Sequence, residues 1–128
     1  MTGYVGLLEN TTGTNTYFRR VLFTGQHLQL VAMCLAPKEE IGTEVHEHVD
    51  QFFRIEEGLA KFVFGDTEEH SVGAGGAVVV PAGTWHNVIN LSSTKPVKLY
   101  TIYTPPQHPG GTVHQTKAEA EAAEHQPA

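Results

Sequence analysis

Two stretches of the chain gather side chains that can do chemistry. The first, Gly75 to Asn90, reads GGAVVVPAGTWHNVIN and carries His86. The second, Pro37 to Gly58, reads PKEEIGTEVHEHVDQFFRIEEG and carries Glu44, His46, His48 and Gln51. Residues two apart on an extended strand share a face, so Glu44, His46 and His48 point the same way for as long as such a strand lasts. Two imidazoles with one or two oxygen donors, leaving open positions, suit a divalent transition ion: Fe(II), Mn(II), Ni(II), Co(II) or Zn(II). Open positions let a substrate or water reach the ion, which then acts as a Lewis acid or activates O₂. The same side chains could instead line a polar pocket that holds no metal.

The order Gly75, five residues, Pro81, one, Gly83, two, His86, three, Asn90 resembles the second signature motif of the cupin superfamily, with every fixed position filled. The resemblance implies an all-β fold, the double-stranded β-helix or jelly-roll barrel, with His86 a metal ligand directed into its interior. It also implies a first motif a few strands earlier: a glycine, His-x-His, a glutamate and a further glycine. Pro37 to Gly58 is the candidate, and two registers fit it. In one, His46-Glu47-His48 supplies the histidine pair and Gln51 takes the glutamate's place, with a shortened gap between them. In the other, Gly58 fixes Gln51, and the usual gap then puts the second histidine at His46 and the first at Glu44. Glu44-Val45-His46 then replaces the histidine pair, and His48 falls in the connecting turn. The second register keeps two spacings intact. The expected metal set is therefore His46, His86 and Gln51, with Glu44 or His48 completing it. Gln51 departs from the pattern, offering a neutral carbonyl oxygen where glutamate offers a charge, which weakens its hold on a cation.

Several elements must position these residues. Tyr17 to Thr24 and the apolar run Leu28 to Ala36 read as strands. Thr43 to His48, Gln51 to Glu56, Ala60 to Phe64 and Glu68 to Val72 follow, separated by Gly, Asp and other turn residues. Ala77 to Val80, the strand carrying His86, and Val97 to Tyr103 complete the series. Many short strands with Gly and Pro between them point to a sandwich or barrel. This barrel is expected over residues 17–104. Residues 1–16 read as an irregular arm with a short edge strand at Tyr4 to Leu8. Residues 105–128 read as a Pro/Gly segment and a solvated helix, Lys117 to His125, capped by Thr116. Asp50 is expected to cap a turn and Trp85 to face away from His86. His108 and His114 read as solvated loop histidines, and one of Tyr100 and Tyr103 could offer a phenol to the pocket.

Composition narrows the partners. The formal charge is −6, with no basic patch, which argues against nucleic acid and anionic membranes. No apolar run approaches the length of a membrane span. A single cysteine, Cys34, excludes an internal disulfide and suits a reducing, cytoplasmic setting. Phe52, Phe53, Phe62 and Phe64 crowd adjacent strands, which hints at a homodimer. The wording around the motifs is similar to that of small bacterial cupins of the mannose-6-phosphate isomerase-like type. That similarity implies a metal-dependent isomerase, epimerase or dioxygenase acting on a small sugar-like or carboxylate molecule. A non-enzymatic binding module for such a molecule and a structural dimer are the alternatives, since fold alone does not decide function.

Overall fold

The computed structural model describes residues 2–124. Two antiparallel sheets face each other across one apolar core. In chain order the strands are β1 (Arg19–Thr24), β2 (Gln29–Leu35), β3 (Asp50–Glu57), β4 (Leu59–Phe64), β5 (Glu68–Gly73), β6 (Ala77–Val80), β7 (His86–Asn90), β8 (Val97–Thr104) and β9 (Val113–His114). The larger sheet runs β6-β3-β8-β2-β1-β9, and the smaller β5-β4-β7. Two helices are added, α1 (Leu8–Thr14) and α2 (Lys117–Glu124).

Alternation builds the core. On β8, Val97, Leu99, Thr101 and Tyr103 are buried on the inner side, while Tyr100 and Ile102 are only half-buried. Phe53 from β3 and Phe62 from β4 meet edge to face, ring centres 5.1 Å apart, and fix the two sheets against each other. Phe52 lies on the outer face, stacked toward Tyr100 at 6.2 Å. The turn between β3 and β4 depends on Gly58, which has φ +92°. A Cβ there would lie 2.6 Å from the Pro96 carbonyl oxygen, so no other residue fits without displacing backbone.

The N-terminal expectation fails. Tyr4 to Leu8 forms no strand, and LENTTGT coils into α1 although its threonines and glycine are weak helix formers. Tertiary contacts outweigh propensity. Thr12 is buried, and the helix packs over β2, β3 and β8. Lys98, outward on β8 and buried beneath the helix, donates from Nζ to the carbonyl of the C-cap residue Asn15 at 2.6 Å. A cation at a helix C-terminus is favourably placed against the helix dipole.

Thr43 to His48 is also not a regular strand. Residues 39–46 run antiparallel beside β7 through isolated bridges, Glu40 to Ile89 and Glu44 to His86, and Glu47-His48 turns away. The second helix forms where expected as far as Glu124. His125 lies outside the described residues. The Thr116 hydroxyl accepts from the Glu119 amide at 3.2 Å, and the Glu119 carboxylate accepts from the Gln115 amide at 2.7 Å. This helix is not fully solvated: Ala120 is 3% exposed and joins the core cluster.

Candidate metal centre

His86 opens β7, where Phe64 faces it across the sheet and Glu44 lies on its other side. Glu44 and His86 exchange both backbone hydrogen bonds, at 2.9 Å each, so the segment carrying Glu44 is held to β7 at the point where the imidazole projects. Asn87 reinforces this. Its Oδ1 accepts from the Gly42 amide at 2.9 Å, and its Nδ2 donates to the Glu40 carboxylate at 3.1 Å. The turn before His86 needs Gly83, at φ +80°, whose amide donates to the His46 carbonyl at 2.9 Å. Asp50 caps the same turn as expected, its Oδ1 accepting from the Ala82 amide at 2.8 Å. Trp85 faces outward, 55% exposed, while His86 is buried.

Three of the nominated residues converge. Ligand atoms of Glu44, His46 and His86 all lie within 4.8 Å of one another. Glu44 Oε1 is 3.2 Å from His46 Nε2 and 3.7 Å from His86 Nε2. Metal–ligand bonds of about 2.1 Å separate neighbouring ligand atoms by roughly 3.0 Å at a right angle and roughly 3.4 Å in a tetrahedron. The Glu44–His46 separation falls in that range, and the Glu44–His86 separation is about 0.3 Å longer than the tetrahedral value. Two hydrogen bonds decide which atoms are free to bind. His86 Nδ1 lies 2.9 Å from the Thr84 carbonyl, a partner that requires an N–H, so Nε2 keeps its lone pair. That Nε2 is buried and has no hydrogen-bond partner.

Gln51 shows the same logic. The Thr101 hydroxyl donates to the Phe52 carbonyl at 2.8 Å and therefore accepts from Gln51 Nε2 at 2.9 Å. This orients the amide, leaving Oε1 buried and without a donor. Gln51 stands beside Tyr103 in the β3–β8 register, and the Tyr103 ring lies edge-on to His46 at 5.8 Å. Two orphaned acceptors and a carboxylate beside His46 form a donor set that a cation would satisfy. His48 sits apart in an exposed turn.

The electrostatics agree with the geometry. Burial alone would raise the Glu44 carboxyl, but the hydrogen bond and charge of His46, with His86 and Arg19 beyond, outweigh it and hold the group below its ordinary value. Tyr103 is driven well above its ordinary value by burial, so the phenol keeps its proton.

The structure adds residues that the sequence did not nominate. His108 is not a solvated loop histidine. Buried Gln29 clamps its loop, accepting from the Gln107 and His108 amides at 3.1 and 2.9 Å and donating to the His108 carbonyl at 2.7 Å. The imidazole is set against Tyr103, ring centres 5.2 Å apart, with Nε2 3.4 Å from the phenol oxygen. Burial, then the Arg19 charge, pushes it down to about 3. His114 is also engaged, its Nδ1 3.2 Å from Arg19 Nη1. Nothing local in the sequence marks these residues, because the Gln29 clamp and the β1–β9 pairing that place them span most of the chain.

Known proteins are similar to this chain over most of its length. The cupin domain family model matches residues 31–103. Protein YrkC of Bacillus subtilis is 50% identical over 126 residues, which covers 94% of this chain and 67% of YrkC. Protein L612 of Acanthamoeba polyphaga mimivirus is 46% identical over 112 residues, covering 86% of this chain and 70% of L612. The crystal structure of BH2720 from Bacillus halodurans superposes with a TM-score of 0.90 at 48% identity, covering 93% of each chain. TT1209 from Thermus thermophilus shares the fold at 24% identity and a TM-score of 0.68, over 82% of this chain and 98% of its own. With the family model spanning more than half of its residues and two relatives this close, the chain belongs to the cupin family.

Proposed function

We propose that this cupin is a metal-dependent enzyme acting on a small polar molecule, with a divalent transition ion held by Glu44, His46 and His86 and by the Gln51 carbonyl oxygen. The observation that carries this reading is the pair of buried acceptors, His86 Nε2 and Gln51 Oε1, each without a donor while the other end of its side chain is held by a hydrogen bond. Such an ion supplies Lewis-acid polarisation of substrate oxygens and, if redox-active, oxygen chemistry. Tyr103 keeps its proton and His108 stays neutral beside it, so the pair can hydrogen-bond substrate oxygens near the ion. Burial moves both groups away from neutral pH, where general acids and bases work best, so the pair does not rank an isomerase or epimerase against a dioxygenase.

The test is metal content by plasma mass spectrometry on untagged wild type and His86→Ala. Near-stoichiometric Fe, Mn, Ni, Co or Zn that is lost in the variant supports the centre. No metal in the wild type, even after reconstitution, refutes it. With metal in place, deuterium incorporation from D₂O into hydroxy-ketone probes supports the isomerase branch. Oxygen consumption without that incorporation favours the dioxygenase instead.

A further inference from the structure

Arg19 opens β1 with its backbone between two strands, opposite Met33 on β2 and His114 on β9. Its side chain is 4% exposed in total. Nη1 meets His114 Nδ1 at 3.2 Å, and the Phe18 ring lies 5.3 Å from the guanidinium carbon. Nε is buried with no acceptor. Among the described residues Arg19 forms no ion pair within 4.0 Å, although six other pairs are formed. A guanidinium does not lose its proton in a protein, so this charge is permanent. Burying such a charge without an anion is costly, and buried charges are normally paired.

Two cavities meet at this side chain. One, of ≈ 200 Å³, is shared with Glu44 of the metal centre. The other, of ≈ 280 Å³, is shared with His108. Helix α2 borders both through Ala120 and Glu124. We propose that Arg19 anchors an anion subsite: the substrate carries a carboxylate that takes the free donors of the guanidinium while its neighbouring oxygen reaches the metal centre. This rests on the metal-centre reading and adds the class of substrate. Arginine's planar fork matches a carboxylate with two parallel hydrogen bonds. The cavity shared with Glu44 is smaller than the roughly 300–1,000 Å³ typical of larger ligands. The ligand is therefore a short-chain hydroxy or oxo acid. Glu121 and Glu124 also border this space, but both are exposed.

The probes are lactate and its uncharged analogue lactamide, titrated calorimetrically into metal-loaded wild type, Arg19→Gln and Arg19→Lys, and into chelator-stripped wild type. Metal content is measured on each sample. Lactate should bind saturably and lactamide about tenfold or more weaker, as expected for loss of one partner of a buried charge pair. Arg19→Gln should lower lactate affinity to a similar degree with metal content unchanged, and Arg19→Lys should fall between. The proposal is overturned if lactate and lactamide bind alike, if Arg19→Gln keeps wild-type affinity, or if neither probe binds at millimolar concentration. The comparison of the two probes on wild type holds even if Arg19→Gln does not fold. If wild type takes up no metal, the metal centre fails. Arg19-dependent lactate binding to the metal-free protein would then still support the anion subsite, and its absence would overturn that as well.

Discussion

Asn90 closes the motif that contains His86, yet its side chain is structural. It is fully buried. Nδ2 lies 3.1 Å from the Leu35 carbonyl, 3.0 Å from Ala36 and 2.9 Å from Lys95, and Oδ1 accepts from the Ser92 amide at 2.9 Å. One amide thus pins the end of β2 and the loop before β8 to the end of β7. Asn90→Ala removes these four contacts. At about 1 kcal/mol net for each hydrogen bond the ceiling is about 4 kcal/mol. Two N–H groups shared among three acceptors, and water entering the space, bring it to about 3 kcal/mol. With an unfolding entropy of about 2.1 cal/mol/K per residue, 128 residues give about 0.27 kcal/mol/K, so Tm should fall by about 11 °C. Asn90→Asp should be at least as damaging at pH 7, because it faces an ionised carboxylate toward three carbonyl oxygens. It should recover part of the loss on acidification, as protonation restores one donor. The assay is calorimetric or denaturant unfolding of metal-free protein, with metal uptake measured in parallel. A loss below about 1 kcal/mol, or a loss of metal uptake in a protein that remains folded, would refute the argument.

Other outcomes follow from the same geometry. Thr101→Val removes the acceptor that orients Gln51 and should weaken metal affinity about 10- to 100-fold in chelator competition, the range for loss of an outer partner. Metal at about 100 times its dissociation constant should stabilise the protein by about 2.7 kcal/mol, raising Tm in wild type and not in His86→Ala. His108 has a folded value depressed to about 3. Its neutral form is the one the fold favours, so its contribution is present above about pH 6.5 and is lost as pH falls toward 3. His108→Gln should therefore flatten the acid limb of the metal-free stability curve by up to about 1.4 kcal/mol per pH unit. If the difference in unfolding free energy between pH 5 and pH 7, measured by urea titration, is the same in wild type and His108→Gln, the burial of this imidazole is contradicted.

Much of the fold was legible in the sequence because β-structure in this chain is written locally. The glycines at positive φ, the Pro81 turn and the two-residue alternation of β8 are short-range features. The convergence of Glu44, His46 and His86 agrees with the register counted back from Gly58, a backbone position that only glycine can occupy. Illegible features are those that distant residues impose. The sequence LENTTGT coils against β2, β3 and β8, and Lys98, over eighty positions later, holds the end of the helix. Arg19 is one of two adjacent arginines within the strand expected at Tyr17 to Thr24, with nothing local to mark it, and distant elements, among them β9 and α2, enclose it. His108 follows a Pro-rich stretch that suggests exposure, and Gln29 reverses that through backbone hydrogen bonds invisible to composition.

β8 serves two clients at once. Its inward side supplies Thr101 and Tyr103 to the centre, and its outward side supplies the lysine that holds α1. Because side chains alternate strictly, the parity of this strand is fixed. A single-residue insertion or deletion within it would turn the phenol and the hydroxyl outward and the lysine into the core, removing the centre and the helix together. The same change in the Ser92–Lys95 loop leaves that parity intact. Length variation among relatives of this chain should therefore collect in the loops flanking β8 and be purged from the strand itself.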